Sequence, residues 1–390
     1  MRESTRKKCI LLILLAFAVY AWWQSDVNQP TLNQTRHPIK ILLITYMRGG
    51  SSFLGDVFNQ NADVFYHYEP GQGMFLSLFA SLLSPIRTSR RQVHRNMSHT
   101  DRFIKQIENL ADCKFGNLPI EVLSNDHFFA MTKNGGETYR QCLQLSHEKI
   151  IFECRRGYIE KNCEYGSNIC YRALEPLDRI TSDVPWQLTH YRHCMNKRLS
   201  VRLQVCLTAY EKLCQQSKIR VLKLIRFDIG FVEKLLKSDP NWYIIYSVRD
   251  PRGIIQSRLS NQLLQFDTKY EAKYLCNRML KNTVEFERMK RKYPHRMMTT
   301  SYERLATNPV DVAQRIYQFL GLVLPYTVKE WLKTATNSND LSQEKAFGTM
   351  RKNSNETAYK WMKTMNESDK EYLESLCGDT LDRLGYYRKY

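Results

Sequence analysis

Three sequence signatures are missing from this chain of 390 residues. No Gly-Lys-Ser or Gly-Lys-Thr ends a glycine-rich loop, so no lysine is placed to reach the β- and γ-phosphates of a nucleoside triphosphate, which disfavours an NTPase. No Cys-x₂-Cys pair occurs, and the spacing from Cys163 to Cys170 is too loose for a usual zinc knuckle. No zinc finger, helix-turn-helix or RNP-like motif is present. We therefore expect neither a bound metal nor a nucleic-acid partner.

Acidic residues are scarce relative to basic ones. The chain has 58 Lys and Arg against 39 Asp and Glu, a formal charge of +19. This excess of positive charge predicts an anionic partner, which on charge alone is a nucleic acid, an anionic lipid or a sulfated or carboxylated glycan. The densest basic stretch, 87–95, is interpreted as a solvated surface, with guidance of a polyanionic glycan as the alternative. The length and the hydrophobic content of 43% allow a full core, and the spacing along the chain favours one large α/β domain with an insertion over two independent domains.

The amino terminus has the pattern of a membrane anchor followed by a short stem. Basic residues within 2–8 precede an uncharged apolar run that ends in two tryptophans, as is typical at a membrane interface. The run is short for a full span, so a signal peptide cleaved at the Ala-Phe-Ala of 16–18 is the competing interpretation. We expect a type II protein with a cytosolic tail (1–8), a signal-anchor transmembrane helix (9–23), a stem (24–38) and a lumenal domain (39–390).

Cysteines and sequons suit an oxidising, glycosylating lumen. Apart from Cys9 in the apolar run, an even number of cysteines remains, which favours disulfides, although their connectivity is not readable. Most of them lie between about 85 and 215, where periodicity is weak, and we predict a cysteine-rich irregular insertion there. The predicted glycosylation sites are Asn33, Asn96, Asn355 and Asn366.

Short apolar runs rich in β-branched residues alternate with helical patterns along the chain. This alternation is typical of a parallel sheet with crossover helices. We predict an α/β fold, a P-loop-like parallel sheet flanked by helices. The predicted strands are 39–46, 63–67, 219–225, 242–248 and 297–301, and the predicted helices are about 73–83, 271–292, 308–320 and 325–334.

A glycine turn joins the first predicted strand to a helix start. Residues 45–52 have the sequence TYMRGGSS, and Phe53 begins a helical pattern. Backbone N–H groups at a helix amino terminus point out of the turn, the helix dipole favours negative charge there, and glycines let the backbone approach an oxyanion. Arg48 adds a permanently charged guanidinium suited to a phosphate or a phosphate-linked anhydride. The segment predicts a phosphate cradle, with an ordinary tight turn as the alternative.

A second segment, much later in the chain, supplies a matching arginine. Residues 241–248 predict a buried strand, and Pro251 suits the first turn of a helix. Arg249 then lies at the carboxyl end of the strand, where open α/β sheets bind ligands, and Ser257 follows on the helix to add a hydroxyl. A surface ion pair between Arg249 and Asp250 is the alternative. Together the two segments predict one nucleotide clamp.

The two segments resemble motifs of the Golgi carbohydrate 6-O-sulfotransferases, which act on galactose, N-acetylgalactosamine or N-acetylglucosamine. Residues 48–55, with their continuation to Glu69 and Pro70, are similar to the family's 5′-phosphosulfate loop, and residues 247–258 to its 3′-phosphate motif. The resemblance covers about 39–75 and 219–390. It also includes KLIR at 223–226, YERL at 302–305 and the stretch from Thr357 to Tyr386.

Two positions depart from the family pattern. Gly49 stands where the family loop usually has serine or threonine, which removes one hydroxyl. Gly71-Gln72-Gly73 stands where an aromatic residue or histidine commonly follows Glu-Pro. Residues after Glu69 should face the acceptor, so the second departure leaves the acceptor sugar open.

The resemblance implies a donor, 3′-phosphoadenosine-5′-phosphosulfate (PAPS), a glycan acceptor and a Golgi membrane location. Sulfuryl transfer, like phosphoryl transfer, needs mainly positioning and charge stabilisation. Cytosolic sulfotransferases also grip the 3′-phosphate with an Arg-Lys pair ahead of a tryptophan. The candidate donor-binding residues are Arg48, Gly49, Gly50, Ser51, Ser52, Phe53, Leu54, Arg249, Ser257, Arg258, Arg351 and Lys352.

A sugar hydroxyl that attacks the donor needs a base. Glu69, just past the second predicted strand, is the candidate, and Arg48 is the residue expected to stabilise the departing charge. A carboxylate that only orients the hydroxyl, pairs with Arg48 or caps a helix is the alternative for Glu69. His67 is the alternative base, because strand alternation places it on the same face as Glu69.

Three classes of function are compared. A membrane-anchored sulfotransferase accounts for both motifs. A P-loop kinase or NTPase would need a Walker lysine and metal-binding carboxylates. A catalytically silent lumenal glycan-binding protein with the same fold is compatible with the departures at Gly49 and after Glu69, and the sequence indicates neither the sugar nor the oligomeric state.

Overall fold

A computed structural model describes residues 37–71, 73–74, 98–123, 128, 132–133, 135–143, 154, 186–263, 267–338 and 348–387. The predicted tail and anchor, most of the stem and of the helix at 73–83, and the basic stretch lie outside these ranges. Pro38–Tyr390 form one compact unit. No helix within the described ranges is long and apolar enough to cross a bilayer.

Five parallel strands form one sheet in the order β2-β3-β1-β4-β5. The strand β1 lies at the centre, where Leu42 is opposite Leu222 on one side and Ile244 on the other. Helices cover both faces, which is why most strand residues are buried instead of alternating between buried and exposed. The predicted parallel sheet is confirmed. Its strands are β1 (Ile39–Ile44), β2 (Val64–Tyr68), β3 (Ile219–Leu224), β4 (Trp242–Val248) and β5 (Met297–Ser301).

Helices connect the strands and complete the carboxyl-terminal part. The helices predicted at 271–292, 308–320 and 325–334 are present, with small differences at their ends. The bounds are α1 (Ser51–Asn59), α2 (His99–Ala111), α3 (Ile120–Leu123), α4 (Gly136–Leu143), α5 (Trp186–Gln216), α6 (Val232–Ser238), α7 (Pro251–Ser260), α8 (Thr268–Lys292), α9 (Tyr302–Thr307), α10 (Pro309–Phe319), α11 (Tyr326–Thr336), α12 (Ser354–Tyr359), α13 (Trp361–Thr364) and α14 (Glu367–Leu384).

The helices that follow β1 and β4 lie on opposite faces of the sheet. Leu43 of β1 packs in one buried cluster with Leu54 of α1, whereas Leu42 packs in the other cluster with Ile254 of α7. Because the chain leaves two neighbouring strands in opposite directions, a crevice opens at their carboxyl ends. The fold therefore places the ends of β1 and β4 where an α/β sheet binds its ligand.

The insertion is cysteine-rich, as predicted, but its described parts are helical rather than irregular. The second half of α5 buries Leu203, Cys206, Leu207, Tyr210 and Cys214, which is helical spacing. Cysteines occupy two of the buried positions on this face of α5. The helical periodicity of the sequence is therefore visible only when cysteine is treated as an apolar core residue. Among the described cysteines, three disulfides link the insertion internally: Cys113–Cys214, Cys142–Cys206 and Cys154–Cys194.

A fourth disulfide, Cys276–Cys377, joins α8 to α14 across 101 residues of sequence. A bond that closes a long loop restricts the unfolded chain, so we expect the double variant Cys276→Ala/Cys377→Ala to lose about 2–5 kcal/mol of unfolding free energy. Equilibrium denaturation in urea measures this change. A loss below about 1 kcal/mol would show that the α8–α14 packing is sufficient without the bond.

Candidate active site

The loop between β1 and α1 has the geometry of an anion cradle. Gly50 precedes α1 with a φ of 80°, a left-handed conformation that favours glycine. A Cβ at Gly50 would lie 2.1 Å from Cδ2 of Tyr302, so the loop is packed as well as turned. No side chain in the described ranges caps this helix, and its first N–H groups therefore remain available to an anion. Ser51 and Ser52 lie in that first turn.

Arg48 and Arg249 meet at this loop, although they are far apart in sequence. Nε of Arg48 donates a hydrogen bond of 3.0 Å to Oγ of Ser257 on α7. Arg249, directly after β4, donates from a terminal nitrogen to the carbonyl oxygen of Arg48 at 2.8 Å. The predicted convergence of the two segments is confirmed.

Arg249 is buried, and one of its N–H groups has no hydrogen-bond acceptor in the part of the chain that the structure describes. It is 8% exposed, and its guanidinium carbon lies 4.5 Å from the ring centroid of Tyr302, a cation–π contact. Its buried Nε has no hydrogen-bond acceptor among the described residues. A buried donor without a partner costs free energy.

Three positive charges surround the loop. Burial lowers the pKa of Arg48, and the charges of Arg249 and Arg351 lower it further. The charge of Arg351, predicted as a donor-binding residue, therefore acts on Arg48. An anionic ligand would relieve the repulsion, because it replaces unfavourable like-charge interactions by charge-assisted hydrogen bonds.

The segment that carries Arg351 is tied to α11 through its backbone. The N–H of Arg351 donates to the carbonyl of Ala335, and the N–H of Ser338 donates to the carbonyl of Arg351, both at 2.8 Å. Lys352 is exposed, and its predicted role in donor binding stays a prediction.

Arg258 has a different position from that of the other predicted arginines. It forms an ion pair of 2.9 Å with Glu271 and donates at 3.2 Å to the carbonyl of Met47. Burial lowers the pKa of Arg258 to about 10. These contacts place Arg258 behind the loop, where it supports the backbone just before Arg48.

Glu69 lies just past β2 and contacts a buried lysine. Its Oε1 is 2.7 Å from Nζ of Lys223, whose side chain is 0% exposed while that of Glu69 is 14% exposed. Burial lowers the pKa of Lys223, and the charge of Glu69 opposes that shift. Lys223 also lies 3.5 Å from the ring centroid of Tyr68. The carboxylate therefore has a positively charged neighbour and remains accessible.

His67 does not share a face with Glu69, and the alternation argument is wrong at this point. Glu69 has a φ of 47°, so the strand ends at Tyr68 and the alternation stops with it. His67 is fully buried, and the centroid of its ring lies 5.1 Å from that of Phe65 and 5.7 Å from that of Phe115. Burial lowers its pKa to about 3, which leaves a neutral core histidine.

The buried histidine predicts an acid-sensitive fold. A pKa of about 3 in the folded state, against 6.5 when exposed, means that the unfolded chain binds an extra proton below about pH 6.5, so stability is lost as the pH falls. Replacing His67 by phenylalanine should remove about 2 kcal/mol of the stability loss between pH 7 and pH 5. Urea denaturation of both proteins at the two pH values measures it. Equal losses would contradict the prediction.

Other predicted residues have structural or surface positions. Gly49 and Leu54 are buried, and Phe53 packs against Trp331. Asn355 and Asn366 are exposed, while the sequons at Asn33 and Asn96 lie outside the described residues.

Lys223 and Tyr302 belong to stretches that resemble the family, but the sequence analysis assigned neither of them a role in the site. Lys223 is a charged residue within a fully buried strand that is otherwise apolar except for Arg220, and that contrast is a usable signal. Tyr302 follows β5 directly, at the same edge of the sheet as the other site residues. Only the strand order brings it to Arg249.

Comparison with known proteins identifies the family. Residues 38–385 match the sulfotransferase domain family, and the chain belongs to it. Carbohydrate sulfotransferase 1 of Danio rerio is 28% identical over 89% of this chain and 77% of its own. Carbohydrate sulfotransferase 4 of Mus musculus is 22% identical over 90% and 83%. The sulfotransferase domain of the Synechococcus PCC 7002 olefin synthase covers 93% of this chain and 99% of its own, at 15% identity and a TM-score of 0.41.

Proposed function

We propose that this protein transfers a sulfuryl group from PAPS to a sugar hydroxyl of a glycan, the 6-hydroxyl of galactose, N-acetylgalactosamine or N-acetylglucosamine. Family membership supports the reaction class, and the names of the carbohydrate sulfotransferase relatives support a sugar acceptor. The observation that supports the donor is the hydrogen bond from Arg249 to the carbonyl of Arg48, which brings both arginines to the loop before α1.

The residues present fit a donor with an anionic group at each end. The first turn of α1 and Arg48 would hold the 5′-phosphosulfate, and Arg249 with Ser257 would hold the 3′-phosphate. When bound, the donor supplies an activated sulfuryl group on a phosphate leaving group.

Glu69 would take the proton from the sugar hydroxyl. The group is a carboxylate with partial exposure at the carboxyl end of β2, so an acceptor can reach it. Lys223 holds the carboxylate by its ion pair and keeps it oriented. Arg48 would stabilise the negative charge that develops on the leaving phosphate, because a preorganised cation needs no rearrangement during the reaction.

We infer a lumenal Golgi location for the catalytic domain, with the apolar run at 9–23 as a type II anchor. The disulfides between described cysteines and the exposed sequons at Asn355 and Asn366 support an oxidising, glycosylating compartment. Fluorescence microscopy of the tagged chain, combined with protease protection of intact vesicles, tests this placement. A tag that faces the cytosol at the carboxyl terminus would contradict it.

One assay tests whether the protein transfers a sulfuryl group and identifies the glycan that accepts it. The full-length protein, purified in detergent, is incubated with ³⁵S-labelled PAPS and a panel of desulfated keratan, chondroitin, N-linked and O-linked glycans. Incorporation into one class, with the sulfated carbon assigned by NMR, is the expected result. Binding of adenosine 3′,5′-bisphosphate without incorporation into any acceptor would instead favour a silent glycan-binding protein.

A further inference from the structure

A side chain on α1 holds the segment that carries Arg351. Oγ1 of Thr349 donates a hydrogen bond of 2.9 Å to Oδ2 of Asp56. Asp56 follows Ser52 by one helical turn, so this contact lies directly below the open first turn of α1. It links two segments that are far apart in sequence and that both carry predicted donor-binding residues.

Backbone contacts and side-chain packing also hold the segment that carries Arg351. The N–H of Arg351 donates to Ala335 of α11, and its carbonyl accepts from the N–H of Ser338, just after that helix. Met350 packs against the buried cluster that contains α1 and α11. The Thr349 hydroxyl adds a directional contact to α1, and these three attachments leave the backbone at Arg351 little freedom to move.

Burial of the Asp56 carboxylate costs free energy unless hydrogen bonds or charges compensate for the lost solvation. Burial raises the pKa of Asp56, while the hydrogen bonds from Thr349 and Asn59 oppose that shift. Nδ2 of Asn59 is 3.3 Å from Oδ1 of Asp56, so the two oxygens have different partners. An apolar residue at this helix position would pack without desolvation cost but would not accept a hydrogen bond from Thr349.

We propose that Asp56 and Thr349 are positioning residues that hold Arg351 beside Arg48, so that both guanidiniums act on the same anionic donor. This inference rests on the proposed function. Neither residue need touch the donor. The hydrogen bond instead fixes the backbone two residues before Arg351, which reduces the ordering that binding would otherwise require.

A double-mutant cycle tests the coupling. The probe is adenosine 3′,5′-bisphosphate, and its dissociation constant is measured by calorimetry for the full-length protein, Thr349→Val, Arg351→Met and the double variant. Valine keeps the shape of threonine and removes the hydroxyl. We expect each single variant to weaken binding roughly tenfold, and the double variant to be no weaker than Arg351→Met, because the hydroxyl acts only through the arginine.

Two further variants separate positioning from folding. Thr349→Ser and Asp56→Asn each preserve a donor–acceptor pair and should bind the probe within about twofold of the unchanged protein. Thr349→Val should raise the KM for PAPS and leave the KM for the glycan unchanged, a split that general loss of structure would not produce.

The outcomes are distinguishable. Additive losses in the double variant, or unchanged binding by Thr349→Val, would overturn the positioning role while leaving the donor site intact. Failure of the unchanged protein to bind the probe at all would refute the proposed function itself, and the positioning role with it.

Discussion

Replacing Glu69 by glutamine is expected to lower kcat by a factor of about 10²–10⁴, the usual contribution of a general base. Glutamine has nearly the same shape but cannot accept the proton of the sugar hydroxyl. Donor binding should change little, because Glu69 follows β2, whereas Arg48 and Arg249 follow β1 and β4. Steady-state transfer of labelled sulfate measures kcat, and calorimetry with adenosine 3′,5′-bisphosphate measures donor-site affinity.

A matched control separates the loss of the catalytic base from the loss of one negative charge. Glu287→Gln removes a carboxylate of a surface ion pair with Arg383 on α14 and should leave kcat unchanged. Near-normal turnover by Glu69→Gln, with the donor bound, would remove Glu69 from the role of base. In that case the contact with Lys223 would be structural.

Arg48→Met should lower kcat/KM for PAPS by about 10²–10³, comparable to the removal of one preorganised donor from a transition-state site. The loss arises from the missing charge at the leaving phosphate and from the hydrogen bond that Arg48 makes to Ser257. Lysine should restore only part of the rate, because a single ammonium cannot reproduce the fork of the guanidinium.

The control for Arg48 is Arg315→Met on α10. This arginine is exposed and pairs with Asp311 on the same helix, so its removal should leave kcat/KM unchanged. Donor titrations at fixed acceptor, under identical salt, give the comparison. If Arg48→Met retained more than about half of kcat/KM, the departing charge would have to be stabilised elsewhere.

The two arginine segments are predictable because their signals are local. A strand, a glycine turn and a helix start occur within residues 39–58, and a strand followed by Arg249 and Pro251 occurs within 241–258. Backbone conformation at these positions is set by near neighbours. The crevice position then follows from the general rule for parallel sheets.

The partners of the charged residues are not predictable in the same way. Arg258 and Arg249 are only nine positions apart, yet Arg258 donates to the carbonyl of Met47, whereas Arg249 contacts the carbonyl of Arg48 and the ring of Tyr302. His67 and Glu69 are separated by a single residue, but a left-handed backbone at Glu69 directs one into the core and the other toward Lys223. Such outcomes depend on which elements pack around each side chain.

The sequence by itself determined the parallel sheet, the anion loop after β1 and the second arginine after β4, because hydrophobic periodicity and turn residues act over short stretches. Only the tertiary structure decided that Lys223 pairs with Glu69, that Tyr302 lies between Gly50 and Arg249, and that Thr349 reaches Asp56. These contacts join residues distant in sequence, and strand order and helix packing set them rather than local propensity.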